Sequence, residues 1–377
     1  MNKPTLLSPT FWNHVAGFAL VGAALSVYFQ KSLGGCGDYP EHFVLLYQGM
    51  GMGAVVGLVF NIIWDRIPNA FIVQPVLITL IRYYLAFIIF SYGFAKVFAG
   101  QFPHTMANMD ARFVELSPMR VAWAFFGYSR GYQEFLGWGE VVPALLLLFR
   151  RTALLGALMM FVVMLNVFLI NIFFDVCVKI NSGIYTALSF YLLLQEFPRL
   201  WSFFIANTTT PARADVKLEN PRWLRIAGQV LNYLLLGYIL YATGDGAYNY
   251  LKYSQTQVTQ TPLQGAWRTI KVVSLADATE VNMEPNDSLS VNRLFFDGNN
   301  GVIRSDYIRD RFRFSMDSIP NQITVRFTNP RNEWNIPPVT WQFERPHPDT
   351  LLLTGPWKGK ALIMTCVLRK EKLTRYE

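Results

Sequence analysis

Seven apolar runs constrain this chain more than any other feature in it. They cover residues 11–30, 43–64, 71–98, 137–149, 153–174, 180–205 and 223–243. A helix needs ~20 residues to cross ~30 Å of hydrocarbon, and most of the runs reach that length. A helix also satisfies its own backbone in lipid, so the runs predict a membrane all-α bundle of about seven transmembrane helices. The run 137–149 is short, but residues 121–136 can extend it. Pro143 lies inside it and predicts a kink that neighbouring helices tolerate. The chain is 52% hydrophobic and only 15% charged, against ~25% charged for an ordinary soluble domain.

The apolar pattern stops at residue 254. Residues 255–377 read instead as short strands at 267–275, 289–297, 301–308, 311–315, 322–328, 339–344, 350–354 and 361–370. Arg311-Phe312-Arg313-Phe314 alternates strictly, and Asp297-Gly298-Asn299-Asn300-Gly301 is a hairpin turn signal. The expected domains are therefore 1–254, a transmembrane helical domain, and 255–377, an all-β antiparallel barrel or sandwich. Residues 263–370 are expected to fold alone, with Trp267 buried.

Charge sets the orientation. With a cytoplasmic N-terminus, the inner connections hold Arg66, the pair Arg150-Arg151, then Arg199, Arg213, Lys217, Arg222 and Arg225. The outer turns 31–42 and 175–179 hold one lysine each, Lys31 and Lys179, and the long connection 99–136 mixes both signs. The positive-inside rule then places the β domain outside the cytoplasm, and the chain in a bacterial inner membrane. A net charge of +8 without a Lys/Arg cluster is only a weak sign of nucleic acid and is better explained by positive-inside loops, so no nucleic-acid partner is expected. The expected partners are the lipid bilayer and another membrane protein. The run 15–29 after Lys3, with Leu33-Gly34-Gly35-Cys36, faintly has the form of a signal segment. Gln30 and Lys31 separate the apolar part from that cysteine, so an uncleaved first helix is expected.

The connection 99–136 exceeds a simple loop, and such loops are often functional. Its segment 119–136 carries Trp123, Phe125, Phe126, Tyr128, Tyr132 and Phe135, which suits a membrane interface. In the second helix, Gly49, Gly53 and Gly57 form a small-xxx-small repeat, which suits packing within the chain or dimerisation.

Ionisable residues in a bundle are costly and mark either internal pairing or function. Lys96 ends the third helix, Glu140 opens the fourth, and Asp175 and Lys179 flank the turn between the fifth and sixth. All four fall at the outer leaflet. Arg82 lies near mid-membrane. Asn166 and Asn171 add amides to the fifth helix, and Gln229 and Asn232 to the seventh. These residues read either as pairs and interhelical hydrogen bonds or as a polar pocket opening outward. No GxSxG, HExxH, Walker A or GxGxxG pattern is present. The three cysteines and four histidines have no metal-ligand spacing, so no metal site is expected. A disulfide between two of the distant cysteines is not counted on.

Residues from about 80 to 200 resemble the DoxX-like family of small four-helix membrane proteins. The resemblance rests on Arg82 with the apolar stretch to Gly93 and Lys96, on Gly137-Trp138-Gly139-Glu140, and on the Leu-rich run to Arg150-Arg151. It implies a four-helix core made by helices three to six. Some family members are similar to a quinone-linked oxidoreductase subunit, so a quinone is the cofactor this implies. Leu263-Gln264-Gly265-Ala266-Trp267 is similar to the opening of lipocalin-like barrels, where Gly265 and Trp267 would match the Gly-x-Trp that plugs the barrel base. The leading expectation is an accessory membrane protein that handles a lipophilic ligand or membrane partner. A quinone-linked oxidoreductase subunit and a structural scaffold are the rivals.

Overall fold

The computed structural model describes residues 4–33, 38–98, 100–102, 105–210, 261–281, 291–305, 309–328 and 337–369, with isolated positions between 226 and 252. Two compact units emerge. One comprises 1–102, 117–126 and 130–250, and the other 103–116, 127–129 and 251–377.

The first unit is helical. Its helices are α1 (Pro9–Leu33), α2 (Pro40–Ile62), α3 (Val73–Val97), α5 (Pro118–Tyr128), α6 (Arg130–Leu148), α7 (Ala153–Phe173), α8 (Lys179–Leu194) and α9 (Phe197–Phe204), while the short α4 (Met106–Met109) belongs to the second unit. Four segments are long and apolar enough to cross a membrane among the described residues: Pro9–Gln30, Pro40–Ile62, Ala70–Val97 and Ala153–Phe173. The expected span 223–243 lies mostly outside the described residues, and its described positions are helical.

Helices α3, α6, α7 and α8 close a ring, each packed on the next and α8 back on α3. Leu85, Ala86, Ala144, Leu147, Met160 and Leu188 fill it, all fully buried or nearly so. α1 and α2 form a hairpin whose α1 also touches α3 and α8. The glycine repeat of α2 makes that hairpin. A Cβ on Gly53 would meet the Phe18 carbonyl oxygen at 2.2 Å, and one on Gly49 the Gly22 carbonyl oxygen at 2.5 Å. Thus the repeat packs within the chain.

Two expected boundaries shift. The run 180–205 is one apolar stretch in sequence but two helices in the fold, α8 and α9. Gln195 and Glu196 intervene, and Pro198 stands in the first turn of α9, where its missing N–H costs nothing. The fourth expected helix begins at Arg130 rather than 137, so part of the aromatic connection belongs to α6. It continues through Pro143.

The second unit holds a closed barrel of eight strands in simple sequential order, all neighbours antiparallel and β1 paired with β8. They are β1 (Gly265–Ser274), β2 (Arg293–Asp297), β3 (Asn300–Arg304), β4 (Arg309–Met316), β5 (Gln322–Phe327), β6 (Val339–His347), β7 (Thr350–Trp357) and β8 (Lys360–Leu368). The barrel, rather than the sandwich, is realised. Alternation decides which side chains enter it: Phe312 and Phe314 are buried, while Arg311 and Arg313, which alternate with them, are exposed. Trp267, Phe296, Phe312, Trp341, Leu353 and Met364 fill the interior, each at most 1% exposed. Trp267 sits at the start of β1 and donates from Nε1 to the Leu263 carbonyl oxygen at 2.8 Å. The Arg345 guanidinium covers its ring at 5.3 Å. Gly265 adopts φ +143°, and a Cβ there would lie 2.8 Å from Leu368, so the opening turn requires glycine.

The chain segment 103–116 belongs to this unit too. α4 lies against β1 and β2, where Ala107 buries Ala266 and Phe295 on the outside of the barrel. The β unit is therefore not continuous in sequence, and the fragment 263–370 omits a piece of it.

Candidate functional site

Close helix approach brings Lys96 to Glu140. Gly93 on α3 faces Gly137 on α6: a Cβ on Gly137 would meet the Gly93 carbonyl oxygen at 2.7 Å. One turn on, Lys96 Nζ binds both carboxylate oxygens of Glu140, at 2.8 and 2.7 Å. Their side chains are 7% and 3% exposed. Each is thus the other's charge partner inside the helical unit.

Arg82 does not join that pair. It lies 14 residues before Lys96 on the same helix, or ~21 Å along the axis. Its Nε and Nη2 donate to the Leu147 carbonyl oxygen at 2.8 and 2.6 Å. Leu147 stands in the last turn of α6, where carbonyls lack intrahelical partners. A cation there also complements the helix dipole. Thr152 Oγ1 donates to the neighbouring Leu146 carbonyl at 2.8 Å. Arg82 thus terminates α6.

Asp175 and Lys179 meet at 2.7 Å, and Asp38 completes the group. One Asp38 oxygen accepts from the Lys179 backbone N–H at 3.2 Å and from Nζ at 3.3 Å, and the other accepts from the Ile180 N–H at 3.2 Å. Asp38 is therefore the anionic cap of α8. Asp175 itself is exposed and adopts φ +49°. Cys177, between them, is disulfide-bonded, which sequence reasoning did not count on. The Cys366 thiol is free and buried in the barrel.

The fifth-helix amides separate. Asn171 Nδ2 donates to Ser182 Oγ at 2.9 Å within the ring. Asn166 is exposed on the opposite side of α7. Gln229 and Asn232 lie outside the described residues. The polar residues singled out in the sequence therefore form four separate arrangements and one outward amide. Pairing, not a shared cavity, disposes of most of their charge. Gly265 and Trp267 stand at the start of β1, with Trp267 fully buried in the barrel core.

One constellation escaped the sequence reading. Asp110, just after α4, is 6% exposed and meets three arginines of the barrel segment. Arg293 Nη1 and Arg369 Nη1 each lie 2.5 Å from its carboxylate, and Arg304 Nη1 lies 3.2 Å away. Arg304 also donates to the Asp110 carbonyl oxygen at 2.6 Å and pairs with Glu115. The partners lie 183 to 259 residues away along the chain, so no local pattern announces them. The segment 105–116 is thereby clasped to β2, β3 and Arg369, just past β8.

The outer face of β4 and β5 carries a second basic feature. Arg313 is directly opposite Arg326, and Arg311 precedes it on the same face, all three exposed. Like charges facing across a ladder destabilise it, so this stripe adds nothing to barrel stability.

No family model and no solved structure matches the chain. A Bacillus subtilis (strain 168) protein described as "Uncharacterized protein YwoB" is 39% identical over 123 residues, which are 33% of this chain and 79% of that protein.

Proposed function

We propose, for a chain that belongs to the family of the Bacillus subtilis uncharacterized protein YwoB, a role as an accessory membrane protein. The helical unit anchors it in the bacterial inner membrane by several passes. The barrel acts outside the cytoplasm as a docking module for another membrane protein. The observation that carries the reading is the stripe of Arg311, Arg313 and Arg326 on a barrel whose interior is already filled. A filled barrel offers its outer surface rather than a cup, and three arginines select a partner face rich in carboxylates.

The disulfide at Cys177 supports the orientation, because such bonds persist in oxidising compartments. Arg150 and Arg151 stand in the turn at the other end of α7, as the positive-inside rule asks of a cytoplasmic turn. The closed ring of α3, α6, α7 and α8 supports the DoxX-like resemblance of that region, and the Trp267 plug supports the lipocalin-like one. The quinone-linked rival draws no support from the Lys96–Glu140 pair, whose charges are already spent on each other.

The test compares the wild-type chain with the Arg311→Glu/Arg313→Glu/Arg326→Glu variant in membranes of its source organism. After mild solubilisation the wild type is expected to migrate in native gels as a discrete larger assembly, and the variant as the free protein. Identical migration of the two would refute the docking role. Stoichiometric quinone in the purified wild type would replace it with the redox reading.

A further inference from the structure

A cavity of about 740 Å³ opens in the helical unit beside the first two turns of α7 and along α9. It lies at the opposite end of α7 from Cys177, and nothing in the docking role uses it. Its lining divides into two chemistries. Arg150, Arg151 and Arg199 supply three guanidinium groups. Leu154, Leu158, Leu200 and Phe204 supply an apolar wall, the members of each helix spaced four apart and so on one face.

The basic half is set for an anion. Glu196 engages Arg199 Nη1 at 2.8 Å, yet the buried Arg199 Nε has no hydrogen-bond partner. Arg151 forms no ion pair among the described residues. The N-terminus of the 21-residue α7 begins at Ala153, immediately after the arginine pair, and adds its positive dipole end. Guanidinium groups bind phosphate oxygens through paired, charge-assisted hydrogen bonds.

The apolar half excludes a simple inorganic anion as the fitting occupant. α9 exposes Phe197, Trp201, Phe203 and Phe204, between 51% and 62% each, which suits a short helix lying in the membrane interface. Basic pockets among membrane helices at this level recognise anionic headgroups. We infer that the cavity formed by α7, α9 and the α6–α7 turn binds an anionic phospholipid, with its phosphate on Arg150, Arg151 and Arg199. The acyl chains run out along Leu154, Leu158 and Phe204.

The test uses native mass spectrometry of the full-length protein in mild detergent, titrated with phosphatidylglycerol, phosphatidylcholine or inorganic phosphate. Phosphatidylglycerol is expected to bind at least about tenfold more tightly than phosphatidylcholine, since a basic residue near a lipid surface contributes about fivefold. Arg151→Ala/Arg199→Ala should lose about 25-fold in phosphatidylglycerol affinity on the same scale, while the paired Lys substitutions keep most of it. Leu158→Trp, which fills the wall without touching charge, should weaken binding as well and serves if the alanine variant does not fold. Millimolar inorganic phosphate should leave the bound lipid in place. Equal affinity for the two lipids, unchanged affinity in the variants, or displacement by inorganic phosphate would each overturn the assignment.

Discussion

Asp110→Ala is expected to loosen the barrel by about 3–5 kcal/mol, the usual cost of removing one partner from a buried charged cluster. Arg304 is 8% exposed and Arg369 17%, so losing the carboxylate removes a shared partner from a site with little water, although Arg304 keeps Glu115. Arg293, at 38% exposed, contributes less because solvent screens it. The readout is built into the fold. Cys366 is buried in the barrel, and burial pushes its thiol up to about 12, so it is inert in the closed state. Its labelling rate therefore follows barrel opening and should rise by roughly two to four orders of magnitude in the variant. The isolated fragment 255–377 lacks Asp110 and α4 and should label as fast, and a peptide of residues 103–117 added in trans should slow it. An unchanged rate in Asp110→Ala would mean that the arginines stabilise one another through other contacts.

Lys96 and Glu140 provide the second large effect. Lys96→Met or Glu140→Gln alone should each cost about 3–5 kcal/mol, because the survivor is stranded in a nearly dry site. Lys96→Met/Glu140→Gln together should cost less than either single change, since no charge then remains to be solvated. Folded yield and thermal unfolding in detergent measure the cycle. A coupling well above the ~0.5 kcal/mol seen between independent sites is expected. Simple additivity would show that the two charges are held by other groups.

The pair was legible in sequence because Lys96 closes one apolar run and Glu140 opens the next, at matching depth. The barrel was legible for a similar local reason: strand alternation such as Arg311-Phe312-Arg313-Phe314 fixes which side faces in, though it cannot say whether the sheet closes. Asn166 and Asn171 show the limit. Five residues apart, they point ~140° away from each other on a helix, and only the position of α8 decides that Asn171 is inside. The break between α8 and α9 was hidden because Phe197 and Trp201 kept the hydropathy high across Gln195 and Glu196. Asp110 was illegible altogether. An acid in a long loop reads as solvated, and its three arginines come from strands remote in sequence whose arrangement exists only once the barrel has closed.

One labelling experiment tests whether the barrel works outside the cytoplasm. Ser318, exposed in the turn between β4 and β5, is replaced by cysteine in the full chain. The native thiols leave the background low, since Cys366 is buried and Cys177 is disulfide-bonded. Thr208→Cys, exposed after α9, marks the other side. In intact spheroplasts a membrane-impermeant maleimide should label Ser318→Cys at once and Thr208→Cys only after the membrane is opened. Labelling of Thr208→Cys in intact spheroplasts, with Ser318→Cys protected until lysis, would contradict the account.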